Sequence, residues 1–363
     1  MPKLDANYFY VNTKLGENKK RDEVVSFSVQ MVLQEAEKLG MKWENIEGSE
    51  MFKLDWNGKT AYFHDRIPLE TSEFAVTTCT DKHLTKIFLG RANIQVPKGY
   101  LIEQSDDDVY QKKVFDSLQK PLVVKPTRAS HGDGITLGVS EFSVFQTAIQ
   151  KALAARAYSD AAVEVEEEFS GDVKEYRITV TQEKVIGVMY RIPANVIGDG
   201  TLTIKELLAQ KNLHPNRNLF GDNVYQVYGK LLLDDDAVSI LKEQNYAIDT
   251  ILAKDEKAYI RKVSNMMAGG DAVDLTDEIH PSVREICLQT IRAIPGLSIA
   301  GIDFMTTDLF APQTEASYKI VEVNHNAEFG IHHFPMIGPA QNTAREFINI
   351  LFPELKSKAI PHD

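Results

Sequence analysis

Apolar and polar residues follow a helical period in some segments of the chain and alternate in others. Between residues 22 and 39 apolar residues recur at helical spacing and Gly40 follows them, so we predict an amphipathic helix that ends there. Residues 51–65 alternate on both sides of Asn57-Gly58, which predicts a β-hairpin. Further helices are predicted from residue 80 and over residues 141–157, 281–294 and 340–351.

Several short apolar runs predict β-strands. They are PLVVKP at 121–126, two runs between residues 162 and 196, LSIAGIDFM at 297–305 and YKIVEVN at 318–324. The alternation in the middle runs is typical of a sheet with one face in water. Because helices and strands do not alternate regularly along the chain, we predict an α+β fold with antiparallel pieces. A length of 363 residues predicts two or three lobes.

The segment IVEVNHNAEFGIHH at 320–333 concentrates polar side chains at the end of a predicted strand. Alternation puts Glu322 and Asn324 on one face of that strand. Three interpretations compete: a divalent metal held by oxygen atoms, a polar strand end without chemistry, or a zinc site formed by His325, His332 and His333.

A second acidic residue favours the first interpretation. Asp303 lies in GIDFM, on the strand predicted just before. Oxygen ligands from two neighbouring strands, without thiolates, suit Mg²⁺, which takes one or two carboxylates and completes its shell with substrate phosphates. His332 and His333 are sequence neighbours, whereas two zinc ligands on one element are normally spaced so that both rings face the ion.

Composition narrows the classes of function. The net charge is −12, from 40 basic and 52 acidic residues, and this argues against a nucleic-acid partner. The two cysteines, Cys79 and Cys287, form no CxxC pair, so neither a disulfide framework nor a thiolate metal site is predicted. No apolar run has the length of a signal peptide or a membrane span, and we expect a cytoplasmic protein without a membrane partner.

A phosphate-binding loop is predicted after residue 121, although the common phosphate motifs are missing. Lys125 ends the PLVVKP strand, and the loop that follows contains Gly132-Asp133-Gly134. An ammonium at a strand end and backbone N–H groups freed by glycine can both approach an anion. The alternative is an ordinary strand and turn, because Gly and Asp are common in turns.

An acidic strand follows. Glu164, Glu166, Glu167 and Glu168 precede a glycine, and Glu175 and Arg177 come after it. Alternation would direct Glu167 and the backbone of Phe169 at a purine, and Glu175 could accept hydrogen bonds from ribose hydroxyls. A run of like charge is more often a solvated face.

Two arginines lie on predicted strands, Arg191 in YRIPANV and Arg261 in YIRKV. Each offers a bidentate fork to a carboxylate or a phosphoryl group. The alternative for each one is a salt bridge to one of the 52 acidic residues.

In order along the chain these elements resemble the ATP-grasp superfamily, over residues 81–355. Two segments are similar to parts of cyanophycin synthetases and of the ATP-grasp half of bifunctional glutathione synthetases. They are RIPANVIGDGTLTIKELLAQKN and SNMMAGGDAVDLTDEIHP. A third segment resembles the bifunctional glutathione synthetases more closely than the cyanophycin synthetases. It is EVNHNAEFGIHHFPMIGPAQNTAREFINILFPEL. The resemblance implies an N-terminal α/β domain at 1–110, a central ATP-binding lobe at 111–190 and a C-terminal lobe with antiparallel sheet at 191–363.

The resemblance also implies a reaction and its residues. It implies an ATP-dependent carboxylate–amine ligase that forms an amide or peptide bond through an acyl phosphate, with ATP and Mg²⁺ or Mn²⁺. Asp303, Glu322 and Asn324 would bind the metal. Arg191, Asn195 and Arg261 would form the catalytic set. The nucleotide set would be Lys86, Lys125, His131, Gly132, Gly134, Glu167, Phe169, Glu175 and Arg177.

Amino acids or a short peptide are the expected substrates, and a homodimer is expected from the family. We expect a stand-alone ligase, since neither a γ-glutamylcysteine-forming domain nor a second ligase domain is recognisable in the sequence. The alternatives are an ATP-grasp kinase that releases a phosphorylated product and a nucleotide-binding protein without turnover.

Overall fold

The structure is a computed structural model that describes residues 26–129, 132–155, 162–217, 227–262 and 264–357. The described helices are α1 (Phe27–Lys38), α2 (Glu73–Thr80), α3 (Lys82–Arg91), α4 (Asp108–Ser117), α5 (Phe142–Ala155), α6 (Ile204–Lys211), α7 (Asp235–Glu243), α8 (Pro281–Arg292), α9 (Gly330–His333) and α10 (Thr343–Leu351). Short 3₁₀ turns occupy Pro215–Arg217 and Pro353–Ser357.

Antiparallel pairing predominates among the strands of the described residues, so the α+β prediction is confirmed. They are β1 (Lys42–Asn45), β2 (Met51–Trp56), β3 (Lys59–His64), β4 (Ile67–Pro68), β5 (Gly99–Ile102), β6 (Leu122–Pro126), β7 (Thr136–Val139), β8 (Val163–Glu167), β9 (Lys174–Thr181), β10 (Val185–Ile192), β11 (Asn195–Ile197), β12 (Lys257–Tyr259), β13 (Asp271–Asp274), β14 (Ile299–Thr306) and β15 (Tyr318–Asn324).

The chain divides into two compact units. Unit 1 is drawn from Met1–Leu69, Ile186–Asp277 and Glu328–Asp363, and unit 2 from Glu70–Val185 and Glu278–Ala327. The three consecutive domains expected from the resemblance stay a prediction. No helix within the described ranges is long and apolar enough to cross a membrane.

Unit 1 begins with an antiparallel sheet in the order β1-β2-β3-β4. The hairpin between β2 and β3 is confirmed, and Asn57 and Gly58 have φ angles of 49° and 78° there. Positive φ at both central positions is what a tight hairpin turn requires. Helices α1 and α10 pack together, and Phe347 of α10 contacts Phe63 of the sheet with ring centroids 5.4 Å apart.

The rest of unit 1 contains two strand pairs, β10 with β13 and β11 with β12. A capping box between Thr203 and Glu206 starts α6. The apolar face of α6 packs in a core with residues of β11 and β12, including Val196, Leu208 and Ala258.

In unit 2 the first sheet has the order β5-β8-β6-β7. Its inner face buries Val124 and Val165 against α4 and α5, among whose side chains Phe145 and Ile149 are fully buried. Every residue of β6 is buried, which explains why PLVVKP is almost continuously apolar.

Three further strands of unit 2 lie in the order β9-β14-β15. In this register Asp303 of β14 has Arg177 of β9 opposite it on one side and Glu322 of β15 on the other. Gly301 of β14 faces Asn324 across the same ladder. The central strand therefore carries an acidic residue between a cation and a second carboxylate.

Candidate functional site

Two lysines and two glutamates form a buried ionic network in unit 2. The ammonium of Lys125 lies 2.7 Å from Glu166 Oε1 and 3.8 Å from Glu164 Oε2. That of Lys86 lies 2.9 Å from Glu164 Oε2 and also pairs with Glu166. None of the four residues is more than 8% exposed, so the four charges neutralise one another away from water.

Three elements position this network. Lys125 lies on β6 and both glutamates lie on β8, where Lys125 and Glu164 are direct partners across the ladder. Lys86 reaches them from α3. Asp81 caps this helix by accepting hydrogen bonds from the backbone N–H groups of His83 and Leu84, at 3.0 and 3.1 Å.

The network keeps Lys125 and Glu164 charged. Burial acts to lower the pKa of Lys125, but attraction to Glu166 and Glu164 outweighs it and raises the pKa above the ordinary value. Burial acts to raise the pKa of Glu164, but Lys86 and a hydrogen bond from His83 hold it well below the usual range. Glu322 also contributes to the raised pKa of Lys125, so this strand-end carboxylate lies within electrostatic range of the network.

The glycine loop adjoins β6 in unit 2. Gly132 and Gly134 have φ angles of 83° and 75°, a backbone region that favours glycine. A Cβ atom at Gly134 would lie 2.7 Å from the Cβ atom of Ala155, so a side chain there would clash. Lys151 of α5 donates to the carbonyl of Ile135 at 2.8 Å and braces the loop. His131 lies outside the described residues.

The predicted adenosine residues lie at the end of β8 and on β9. Glu167 Oε1 accepts a hydrogen bond from the backbone N–H of Gln119 at 3.0 Å, and it lies 3.6 Å from the ammonium of Lys98. Phe169 is half-buried just beyond β8, and Glu175 is exposed on β9. The glutamates that contact the lysines are thus Glu164 and Glu166, and the roles of Glu167, Phe169 and Glu175 stay predictions.

The predicted metal residues come together on one face of β14 and β15. Asp303 and Glu322 are direct partners across the ladder, and Asn324 follows Glu322 by two positions on the same face. Two carboxylates in such positions repel each other unless cations lie beside them. Arg177 supplies one of these cations, with its Nε 3.1 Å from Asp303 Oδ1.

Lys82 supplies the other. Its ammonium lies 3.3 Å from Glu322 Oε1 and donates to the carbonyl of Ala129 at 2.8 Å. These groups line a cavity of about 50 Å³. The other residues of its wall are Pro126, Gly132, Asp133 and Ile135. Glu322 and the beginning of the glycine loop therefore share one lysine.

The oxygen donors fit a magnesium or manganese ion that is also bound by phosphate. Two carboxylates and one amide converge, and the amide nitrogen of Asn324 is shielded from solvent without a hydrogen-bond partner among the described residues. Turning that amide by 180° presents its oxygen instead. Within the described residues no group of three or more His, Cys, Asp or Glu side chains could hold a metal by itself. The remaining ligands of a divalent ion would be phosphate or water oxygens.

The histidines offered as a zinc alternative have other surroundings. In unit 1 the Nε2 atom of His333 accepts a hydrogen bond from the backbone N–H of Ala344 at 3.1 Å, near the first turn of α10. Burial lowers the pKa of His333 to about 3. The ring of His332 is fully buried against Gly187. His333 is therefore a neutral helix-start contact.

The predicted catalytic residues Arg191, Asn195 and Arg261 belong to unit 1. Nη2 of Arg261 lies 2.6 Å from Oδ2 of Asp234, so Arg261 forms a salt bridge, which was the alternative interpretation of this residue. Arg191 is half-buried on β10. The side chain of Asn195 is buried and donates to Asp271 Oδ2 at 3.0 Å. Their catalytic roles stay predictions.

Asp271 is the centre of a second buried network, which the sequence did not indicate. Lys211 lies 2.5 Å from Asp271 Oδ2, and the fully buried Arg217 pairs with Oδ1. Burial lowers the pKa values of Lys211 and Arg217, and Asp271 offsets only part of this. Two cations thus share one carboxylate, which also accepts the hydrogen bond from Asn195.

Sequence reasoning also missed Lys82, Glu164 and Glu166 as members of the site in unit 2. One signal was available for the first: Lys82 precedes Lys86 by four residues, so both lie on one face of α3. The alternation V-E-V-E in β8 puts Glu164 and Glu166 on one face as well, but it does not say what that face meets.

The chain is similar in sequence to two groups of enzymes. The chain is 34% identical to a cyanophycin synthetase of Geminocystis herdmanii over 92% of its own length and 37% of the relative. It is 31% identical to the glutathione biosynthesis bifunctional protein GshAB of Clostridium perfringens over 91% of its length and 41% of that relative. No protein-family model matches.

A solved structure decides the fold. The crystal structure of a bifunctional glutathione synthetase from Pasteurella multocida aligns with 91% of this chain and 44% of its own, at a TM-score of 0.72 and 29% identity. The chain is an ATP-grasp protein. It is a homologue of the cyanophycin and glutathione synthetases, and the predicted ATP-grasp fold is confirmed. The ATP-grasp chain spans about two fifths of the length of these curated relatives.

Proposed function

We propose that the chain is an ATP-dependent carbon–nitrogen ligase that joins a carboxylate to an amine and releases ADP and orthophosphate. The observation that carries the proposal is the proximity, within unit 2, of the buried Lys86–Lys125 network to the Asp303–Glu322–Asn324 face. Glu322 raises the pKa of Lys125, and Lys82 joins Glu322 to the glycine loop. Cations on one side of a triphosphate and oxygen ligands on the other meet the main requirements of phosphoryl transfer.

In the proposed reaction a carboxylate oxygen of one substrate attacks the γ-phosphorus of ATP, and ADP leaves. The amine nitrogen of the second substrate then attacks the acyl carbon. Orthophosphate leaves as the amide bond forms, and the amine gives up a proton. Lys86 and Lys125 would face phosphate oxygens, and the raised pKa of Lys125 keeps that residue charged at neutral pH.

A magnesium or manganese ion held by Asp303, Glu322 and Asn324 would neutralise phosphate charge. The chain's own contribution at this face is to fix the three oxygen donors on paired strands, so that little reorganisation is needed on binding. Arg177 orients the Asp303 carboxylate through the contact at 3.1 Å.

An amino acid or a short peptide joined to an amino acid is the proposed substrate class. Support comes from two relatives, a cyanophycin synthetase and a bifunctional protein of glutathione biosynthesis. We further propose that the reaction takes place in the cytoplasm, where ATP is available, and that two copies associate as a homodimer. The proposed roles of Arg191, Asn195 and Arg261 toward the acyl phosphate come from the family resemblance alone.

A product screen tests this function. The purified chain is incubated with ATP, Mg²⁺ and mixtures of amino acids and dipeptides, and products are identified by mass spectrometry while orthophosphate is measured. The proposal expects a condensed product and orthophosphate release that requires both substrates. A phosphorylated product without an amine acceptor would indicate the kinase alternative, and nucleotide binding without turnover would indicate the non-catalytic one.

Glu322→Gln tests the metal face. Glutamine keeps the size of the side chain but removes the anionic oxygen, so we expect turnover to fall by about a hundredfold to a thousandfold, as for loss of a strong electrostatic contact. The melting temperature should change little, because this carboxylate is 30% exposed. Glu315→Gln, the same change at an exposed position of unit 2, serves as the control. Wild-type turnover in Glu322→Gln would remove the metal assignment.

A further inference from the structure

Lys82 occupies a position that the expected chemistry does not explain. It is the first residue of α3 and is 9% exposed. Its backbone N–H donates to the carbonyl of Thr127 at 3.0 Å, and its ammonium donates to the carbonyl of Ala129 at 2.8 Å. The neighbouring Asp81 pairs with Arg128 at 3.0 Å. The start of α3 is therefore fastened to the segment that leads into the glycine loop.

The same ammonium lies 3.3 Å from Glu322 Oε1, on the candidate metal face. Asp133 also lines their cavity, but it is exposed, and water and salt screen its charge. Among the described residues, Lys82 is therefore the cation in direct contact with Glu322, and Lys125 acts on this carboxylate from a longer distance.

We propose that Lys82 is a positioning residue that makes binding of a divalent ion at Glu322 depend on a bound nucleotide. The inference rests on the proposed function and deepens it. A divalent ion that arrives alone must displace the ammonium from Glu322 or lie close beside it, and like charges a few ångströms apart in a partly buried site repel strongly. Metal binding without nucleotide is therefore weak.

A nucleotide phosphate changes this balance. Lys82 lies one helical turn before Lys86 on the same side of α3, so its ammonium faces the region where phosphates are proposed to bind. A phosphate oxygen gives Lys82 a new counter-charge and frees Glu322 for the metal. Metal and nucleotide then bind with positive coupling, which by thermodynamic linkage is the same in both directions.

The test measures metal binding directly with Mn²⁺ as the probe. Free Mn²⁺ is followed by electron paramagnetic resonance, with and without a non-hydrolysable ATP analogue, for the full chain and for Lys82→Met. In the wild type the analogue should tighten Mn²⁺ binding. In Lys82→Met the affinity for Mn²⁺ alone should rise about tenfold, and the tightening by the analogue should shrink by a similar factor, as expected for loss of one close charge contact.

Two further variants make the result specific. Lys82→Arg keeps the charge and should behave like the wild type. Lys319→Met removes the same charge from the same strand as Glu322, where Lys319 contacts the carbonyl of Glu315, and should leave Mn²⁺ affinity unchanged. If Lys82→Met fails to fold, Lys82→Gln removes the charge and keeps a donor for Ala129.

An unchanged or weaker affinity for Mn²⁺ alone in Lys82→Met and Lys82→Gln would overturn the inference. The proposed function fails in a different way: the wild type would then bind neither the analogue nor Mn²⁺ with it. The affinity of Lys82→Met for Mn²⁺ without nucleotide can be compared with that of the wild type in either case. The failure of the inference and the failure of the proposed function are therefore distinguishable.

Discussion

The two units each bury a network of ionised side chains, and the networks differ in their ratio of cations to carboxylates. In unit 2 two lysines face two glutamates. In unit 1 Lys211 and Arg217 share Asp271 alone. The Lys125 side chain is 3% exposed and that of Lys211 is 21% exposed, yet the pKa is raised for Lys125 and lowered for Lys211.

The comparison shows that the supply of counter-charge, rather than the depth of burial, decides the direction in which the pKa of a buried lysine shifts here. Burial opposes the charged form in both places. Two nearby carboxylates reverse that effect for Lys125, whereas the single carboxylate of unit 1 is divided between two cations. In the proposed function the network of unit 2 presents a charged Lys125 to phosphate. The network of unit 1 joins two strands, a helix and a 3₁₀ turn through Asp271.

Removal of the shared carboxylate should have the largest effect. In Asp271→Asn, Lys211 and Arg217 remain buried without a carboxylate, so we expect a loss of about 5 kcal/mol in the free energy of unfolding. Urea denaturation measures it. Asp249→Asn, at an exposed position of the same unit, is the control and should lie within about 0.5 kcal/mol of the wild type. Equal stabilities of the two variants would mean that the network does not hold unit 1 together.

Removal of one cation from the balanced network should be slightly less costly. Lys125→Met leaves Glu164 and Glu166 with only Lys86 and should cost about 4 kcal/mol in the free energy of unfolding. If the unbalanced negative charge causes this loss, the second substitution Glu166→Gln should restore at least about 1 kcal/mol of the free energy of unfolding.

The same urea denaturation completes a double-mutant cycle for Lys125 and Glu166. Lys98→Met removes a lysine from an exposed pair and serves as the control. Strictly additive losses for Lys125→Met and Glu166→Gln would contradict the balance argument.

The smallest effect concerns pH. Because burial lowers the pKa of Lys211, the unfolded chain binds a proton that the folded chain does not, up to the ordinary pKa of 10.5. Stability contributed by Lys211 therefore rises with pH in this window. Lys211→Met lacks this contribution, so the stability of the wild type should rise relative to that of the variant as the pH increases from neutral towards 10.5.

Melting temperatures across that range measure the gain. Lys205→Met, an exposed lysine of the same helix, should keep a constant difference from the wild type. A constant difference for Lys211→Met as well would mean that its pKa is ordinary and that the contrast between the two networks is smaller than inferred.

Local elements followed from the sequence closely. The strand predicted at 318–324 is Tyr318–Asn324, and the helix predicted at 281–294 is Pro281–Arg292. Their signals are short-range: β-branched alternation for the strand, and a proline at the first position of the helix. The helix predicted at 22–39 is described as Phe27–Lys38, and residues 22–25 lie outside the described ranges.

The candidate site was predictable in part. Lys125, Asp303 and Glu322 could be named because strand ends and alternation fix their direction. In β8, sequence reasoning assigned Glu167 to adenosine, a role that stays a prediction, and it did not indicate that Glu164 and Glu166 contact Lys86 and Lys125. The choice depends on which strand lies beside β8, and the pattern of a single strand contains no information about its neighbour.

By itself the sequence determined which residues can be charged, which face of each element they share and where the chain must turn, because these depend on side chains a few positions apart. The tertiary structure alone decided which charges meet. Lys82 and Glu322 are 240 residues apart in sequence, and Asp271 binds residues from β11, α6 and a 3₁₀ turn. Such pairs form only when the packing of whole sheets and helices fixes the register between distant strands.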